Sequence, residues 1–173
     1  MLDESDTQVL CMAEGKAITH VVVPVGCGSV AQAVAQHFKS VAREERTSPA
    51  ATVLSVEPDT AACLKTSLER GTMTRIPTEN SIMCGMNCGT LSTTAWPLLR
   101  SGVDGAILVR DAEAHHAVEE LGELGVKAGP CGAATLAALK RSCEVEKERL
   151  GLSDTSVVVL YCTEGSREYA VPI

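Results

Sequence analysis

Aromatic side chains are scarce in this 173-residue chain: one Trp, two Tyr and one Phe, or 2% of the sequence. Hydrophobic residues still make up 45%, so an interior can form, but it must be aliphatic and alanine-rich. A surplus of positive charge is missing as well. Fifteen Lys and Arg face 22 Asp and Glu, a net charge of −7 with a pI near 5.1. Without a basic stripe to track phosphates, nucleic acid is excluded as an expected partner. No apolar run approaches the roughly 20 residues that a membrane span requires, so no membrane partner is expected. Residues 1–6 are acidic and lack the basic opening of a secretory signal. The eight cysteines are scattered. Cys84 and Cys88 are spaced C-x3-C, but no second pair or nearby histidine completes a tetrahedral site, so no metal is expected. The expectation is reduced thiols in a cytoplasmic protein.

What is present centres on residues 19–31, Thr-His-Val-Val-Val-Pro-Val-Gly-Cys-Gly-Ser-Val-Ala. The β-branched run predicts a buried strand, since continuous apolarity implies cover on both faces. It breaks at Gly26 and Gly28 and passes into a helical pattern. Val30, Val34, Phe38 and Val41 are expected to share the inner side, with Gln32, Gln36, Lys39 and Arg43 outward. A strand, a glycine turn and a helix N-terminus aim backbone N–H groups and the positive end of the helix dipole at one spot. That arrangement suits an anion, above all a phosphate; the bland alternative is a tight turn that the glycines merely permit.

Along the chain, residues 1–16 predict a short helix or arm, and 44–51, polar with Pro49, a loop. Residues 52–56 are a second β-branched run ended by Glu57-Pro58-Asp59, with Asp59 or Thr60 capping a helix that presents Ala61, Leu64 and Leu68 inward and stops at Gly71. Residues 72–92 are irregular and glycine-spaced, yet too apolar for a plain surface loop, which suggests a cavity lining. Thr93 or Thr94 is expected to cap a helix at 95–99. Residues 105–109 predict a third strand, followed by a helix capped by Asp111 on which His115 and His116 read as surface residues. A second glycine-rich turn at 125–132 opens an alanine-rich helix from Ala133, and 156–160 form the last strand. Alternating strands and helices predict an α/β fold, a mainly parallel sheet flanked by helices in three layers (α/β/α), with residues 1–173 as a single domain. Ligands in such sheets sit at the carboxyl ends of the strands, which selects residues 26–29, Glu57-Pro58, Arg110-Asp111 and 163–165.

Gly26-x-Gly28-x-x-Ala31 also fits the dinucleotide pattern of NAD(P)-binding Rossmann proteins. That pattern expects a ribose-binding acid about 20 residues on, whereas Glu57 comes 31 residues after Gly26 and precedes proline. A non-catalytic phosphate- or nucleotide-binding module is a further alternative.

Several collinear segments carry a more specific signal. Val-Pro-Val-Gly-Cys-Gly-Ser-Val-Ala-Gln-Ala (23–33), Val-Glu-Pro-Asp-Thr-Ala (56–61), Ile-Met-Cys-Gly-Met-Asn-Cys-Gly (82–89), Gly-Pro-Cys-Gly-Ala-Ala (129–134) and Thr-Glu-Gly (163–165) resemble the C-terminal half of fold-type II pyridoxal-phosphate enzymes. This is the tryptophan synthase β-like group, and the segments look most like those of diaminopropionate ammonia-lyase. The resemblance runs from about Thr19 over nearly the whole chain. It implies pyridoxal 5'-phosphate as cofactor and a small amino acid as substrate, with α,β-elimination to pyruvate and ammonia. It assigns Gly26, Cys27, Gly28, Ser29 and Val30 to the loop around the cofactor phosphate, Cys131 to the pyridine nitrogen, and Glu57 and Gly85 to positions near the ring. A neutral thiol at the nitrogen leaves the ring a weaker electron sink than a carboxylate would, which suits elimination. The family's cofactor-linking lysine belongs to the N-terminal half, and none of Lys16, Lys39, Lys65, Lys127, Lys140 and Lys147 has its surroundings. The resemblance therefore assigns no catalytic residue. It implies a chain inactive by itself that associates with a missing half or as a homodimer.

Overall fold

A computed structural model describes residues 2–44 and 50–172. In chain order these form α1 (Leu2–Met12), β1 (His20–Pro24), α2 (Ser29–Phe38), α3 (Val41–Glu44), β2 (Thr52–Pro58), α4 (Cys63–Arg70), α5 (Trp96–Gly102), β3 (Gly105–Val109), α6 (Asp111–Glu123), α7 (Pro130–Val145) and β4 (Val158–Leu160). The four strands make one parallel sheet in the order β3-β2-β1-β4. This is the expected α/β arrangement, helices covering both faces. The valine-rich β1 lies in the interior of the sheet, and all five of its residues are buried. The alternation of its side chains divides the core in two. Val22 packs with Leu54, Val56, Ile107 and the alanines of α7 on one face. Val21, Val23 and Val25 pack with Val34, Phe38, Leu64 and Leu99 on the other. With so few rings available, alanine-lined α7 lies close against β1 and β3, and α6 packs along it.

Several local expectations are corrected. β2 runs on through Glu57 and Pro58, which pair in register with Leu108 and Val109; proline is tolerated there because it occupies the last rung. Helix α2 stops at Phe38, so the 3.6-residue period does not reach Val41, which is 70% exposed on α3. Its inward face is Ala31, Val34, Ala35 and Phe38, while Val30 turns toward the strand ends. Arg43, expected outward, is 1% exposed. The reason is α1: Asp6 receives forked hydrogen bonds from the Arg43 guanidinium at 3.0–3.3 Å, and the guanidinium lies 4.3 Å above the Phe38 ring. Neither Asp59 nor Thr60 caps α4, no threonine caps α5, and the N-cap of α6 is Arg110. Asp111 instead accepts hydrogen bonds from the Ser81 hydroxyl and the Ile82 amide. Helix α7 starts three residues early, because Pro130 fits a first helical turn, where no N–H partner is needed. The last strand is shorter than expected, Val158–Leu160. The loop expected at 44–51 falls, through 45–49, outside the described residues. Gly71 ends α4 as expected, in the left-handed conformation at φ 67°. No helix among the described residues is long and apolar enough to cross a membrane.

Candidate functional site

At the carboxyl ends of the strands lies a cavity of about 330 Å³, lined by Pro24, Gly26, Cys27, Gly28, Ser29, Val30, Gly85, Met86, Cys131, Thr163 and Glu164. That volume is at the lower end of small-ligand sites, roughly 300–1,000 Å³. Three loops far apart in sequence meet there, those after β1 and β4 and the irregular segment before α5. Seven of the eight residues assigned from the sequence line it: Gly26, Cys27, Gly28, Ser29, Val30, Gly85 and Cys131.

The turn after β1 depends on its glycines. Gly28 sits at φ 96°, a left-handed conformation, and a Cβ there would come 2.8 Å from Leu99 Cδ1. A Cβ on Gly26 would come 2.8 Å from the Gly85 carbonyl oxygen. The backbone therefore passes close to its neighbours and leaves the space above it open. The first intrahelical bond of α2 runs from the Gln32 amide to the Gly28 carbonyl, 2.8 Å. The amides of Ser29, Val30 and Ala31 precede that bond, and no side chain caps the helix from Gly28. An anion in the cavity would meet this N-terminus and its dipole. Cys27 is exposed, with its sulfur 3.4 Å from the Ser29 hydroxyl. Hydrogen bonds from the Ser29 hydroxyl and amide hold its thiol below the ordinary range.

A second helix opens onto the same cavity. The N-terminus of α7 is closed by protein: the Cys131 amide donates to Glu164 Oε2 at 2.7 Å, and Arg167 Nε donates to Glu164 Oε1 at 2.7 Å. Burial would raise the Glu164 carboxyl, but these partners outweigh it and hold the group low. Cys131 is 5% exposed. Burial, followed by the charge of Glu164, pushes its thiol up to about 11. Its sulfur lies 3.3 Å from where a Cβ on Gly85 would sit, so a side chain there would press the sulfur by a few tenths of an ångström. One helix end is thus filled by a carboxylate and the other is left open to the cavity.

Glu57 is the exception among the assigned residues. It is 1% exposed and does not line the cavity. Its carboxylate oxygens accept the Leu64 and Lys65 amides at 2.7 and 2.8 Å, so Glu57 is the cap of α4 that Asp59 and Thr60 are not. Burial dominates and raises its carboxyl to about 7 despite those two bonds. Buried and outside the cavity lining, it is not available to the ribose hydroxyls that a dinucleotide reading requires.

Glu164 belongs to the Thr-Glu-Gly motif but is not among the residues that the resemblance assigns to the site. Its position in a loop at a strand's carboxyl end, just past an apolar run, is the signal the sequence offers. Thr163, in the same strand-end loop, also joins the lining, as do the apolar Pro24 and Met86. None of the six lysines is among the lining residues. Lys39, Lys140 and Lys147 are paired with Asp104, Glu120 and Asp154. His115 bonds the Tyr169 hydroxyl at 2.9 Å, and His116 is exposed. All eight cysteines are free. Among the described residues no group of three or more His, Cys, Asp or Glu is placed to hold a metal ion.

The fold is thus a parallel α/β sheet with a cavity at its strand ends, beside a glycine turn and a helix N-terminus without a side-chain cap. Residues 9–163 match the family of pyridoxal-phosphate dependent enzymes, and the chain belongs to that family. The family's cofactor is pyridoxal phosphate, and the glycine turn, leading into a helix with no side-chain cap from Gly28, suits a phosphate group. Among solved structures the chain is similar to a threonine deaminase from T.th., with 28% identity and a TM-score of 0.77. It is also similar to the holo form of diaminopropionate ammonia lyase from Escherichia coli, with 26% identity and a TM-score of 0.79. These matches cover 95% and 94% of this chain but only 54% and 42% of theirs. Maize serine racemase, at 24% identity and a TM-score of 0.76 over 95% of this chain and 49% of its own, shares the fold. Comparison with curated proteins finds no match. The chain thus spans about half the length of the enzymes it resembles.

Proposed function

We propose that this chain is the cofactor-phosphate-holding portion of a pyridoxal-phosphate ammonia-lyase, a single α/β unit over residues 1–173 that corresponds to the C-terminal part of the large domain. The observation that carries the reading is the convergence of Gly26–Val30 and Cys131 on one cavity. The amides of that turn hold the phosphate, Ser29 adds its hydroxyl, and Cys131 meets the ring nitrogen from the N-terminus of α7. Gly85 keeps the sulfur in place and Met86 supplies apolar wall. When bound, pyridoxal phosphate supplies an electron-accepting ring that makes the α-proton of an amino acid acidic. The substrate is a small amino acid with a leaving group on its β-carbon, such as 2,3-diaminopropionate, and the reaction is α,β-elimination to pyruvate and ammonia. The similarity to a threonine deaminase and a diaminopropionate ammonia lyase supports that class. The lysine that links the cofactor and serves as base comes from a segment matching the other half of those enzymes, so the chain alone is inactive.

Titration of the chain with pyridoxal phosphate, followed by difference absorbance and phosphorus NMR, tests this. Saturable, weak and non-covalent binding is expected, and Ser29→Asp should abolish it, because a carboxylate at that helix end occupies the phosphate position. Absence of saturable binding, or tight binding of NAD, overturns the proposal.

A further inference from the structure

Helix α7 begins under unusual constraint. A Cβ on Gly129 would come 2.5 Å from the Gly165 carbonyl oxygen and 2.6 Å from Glu164 Oε2. One on Gly132 would come 2.6 Å from Cys162 Sγ and 2.7 Å from the Glu164 carbonyl oxygen. The segment following β4 is therefore pressed against the first turn of α7. It is fastened there by the Gly129 amide on the Glu164 carbonyl at 3.0 Å and the isolated bridge between Ala128 and Gly165. Such packing aims the Glu164 side chain across the start of the helix, at the residue facing the cavity. Arg167 fixes the carboxylate from behind: it bonds Oε1 and also donates to the Ile82 carbonyl, tying the segment to the loop that carries Gly85. A helix cap needs none of this, since an exposed Ser or Asp satisfies one amide.

We infer that Glu164 is the positioning residue for Cys131: locked by Arg167, its carboxylate holds the Cys131 amide at the start of α7 and sets a negative charge beside the sulfur, so that the cavity meets a neutral thiol. The inference rests on the reading that Cys131 meets the cofactor's ring nitrogen. A pyridine nitrogen without a proton accepts from S–H and is repelled by a thiolate, so the protonation of this sulfur matters. A fixed negative charge beside a buried thiol opposes loss of its proton. The groups facing the sulfur agree with this. Glu164 and Cys84 both disfavour a thiolate, while the Gly85 amide and the more distant charge of Arg167 favour it. Arg167 directs its charge to Glu164. Burial and the Glu164 charge thus keep the sulfur a neutral thiol, a partner that would not hold a ring nitrogen protonated as a carboxylate would. A ring so partnered is the weak electron sink which the elimination reading calls for.

The test is the pH profile of Cys131 alkylation by iodoacetamide, read peptide by peptide in the full chain by mass spectrometry, for wild type and Glu164→Gln. Glutamine keeps the length and one acceptor but removes the charge. The expected result is a wild-type midpoint near 11, moved down by about one unit or more in the variant. At a fixed pH below both midpoints, that is at least about tenfold faster modification. A residue that merely capped the helix would change melting and leave the profile in place; superimposable profiles in two folded proteins overturn the inference. If the variant does not fold, Glu164→Ser, which also removes the charge, is measured in its place, because burial by itself raises a thiol; a wild-type midpoint near the ordinary thiol value of about 8.5 overturns the inference too. Repeating the wild-type measurement with saturating pyridoxal phosphate separates the two readings. Failure of the cofactor to slow Cys131 modification counts against the cofactor site, while the variant's shift still counts for the Glu164–Cys131 coupling.

Discussion

At the scale of single residues, the cavity is governed by what its side chains omit. Gly28 combines a positive φ with a neighbour 2.8 Å from any Cβ. Gly28→Ala should therefore lose roughly 1–3 kcal/mol of stability and weaken pyridoxal phosphate binding, as urea unfolding and titration would show. Cys27 and Cys131 share the cavity but differ in setting. The first is exposed and held low by Ser29, and the second is buried and held high by burial and Glu164. At pH 8 iodoacetamide should modify Cys27 well before Cys131, and bound phosphate should slow the first reaction; peptide mapping over time checks both. Glu57 has a folded-state value near 7, above its unfolded value of about 4.3. Between those values the folded protein holds more proton than the unfolded one, so this group's contribution to stability falls as pH rises across that window. Glu57→Gln should flatten the pH dependence of the urea midpoint between about 4.5 and 7, compared with wild type.

Among the elements, α1 shows how one ion pair docks a helix that buries none of its own residues completely. Asp6 sits 16% exposed against an Arg43 side chain at 1%, with His37 Nε2 at 2.8 Å. Burial alone would raise the Asp6 carboxyl, but bonds from Arg43 and His37 outweigh it and lower it. Its stabilisation is present above the unfolded carboxylate value and is lost as pH falls through the folded one. Removing Asp6 takes from the buried Arg43 guanidinium the carboxylate that receives its forked bonds, a change that lowers stability. Asp6→Ala should shift the urea midpoint accordingly and loosen α1, seen as faster amide exchange across residues 2–12. Helices α2 and α7 show the opposite use of a terminus. Both open on the same cavity, one with no side-chain cap from its N-cap residue Gly28 and the other already holding the Glu164 carboxylate.

For the whole molecule, the decisive fact is extent. The matches cover nearly all of this chain but about half of each enzyme it resembles, and no lysine lines its cavity. Mixing it with a segment corresponding to the other half of those enzymes should produce a yellow cofactor complex and release of ammonia from 2,3-diaminopropionate. Absorbance and ammonia detection would follow both, with neither piece active alone.

Residues 19–31 by themselves determined the buried strand, the glycine turn and the helix that follows it, because valine on a sheet and glycine at a positive φ are local demands. The alternation of elements likewise determined an α/β sheet. Only the tertiary structure decided the fates of Arg43, Glu57 and Glu164, since each depends on partners 37, 7 and 33 residues away. Arg43 looked like a surface cation until α1 covered it. Glu57 looked like a ring neighbour until the amides of α4 took both its oxygens. A carboxylate's role follows from which donors reach it first, and the packing of the strands and helices sets that order.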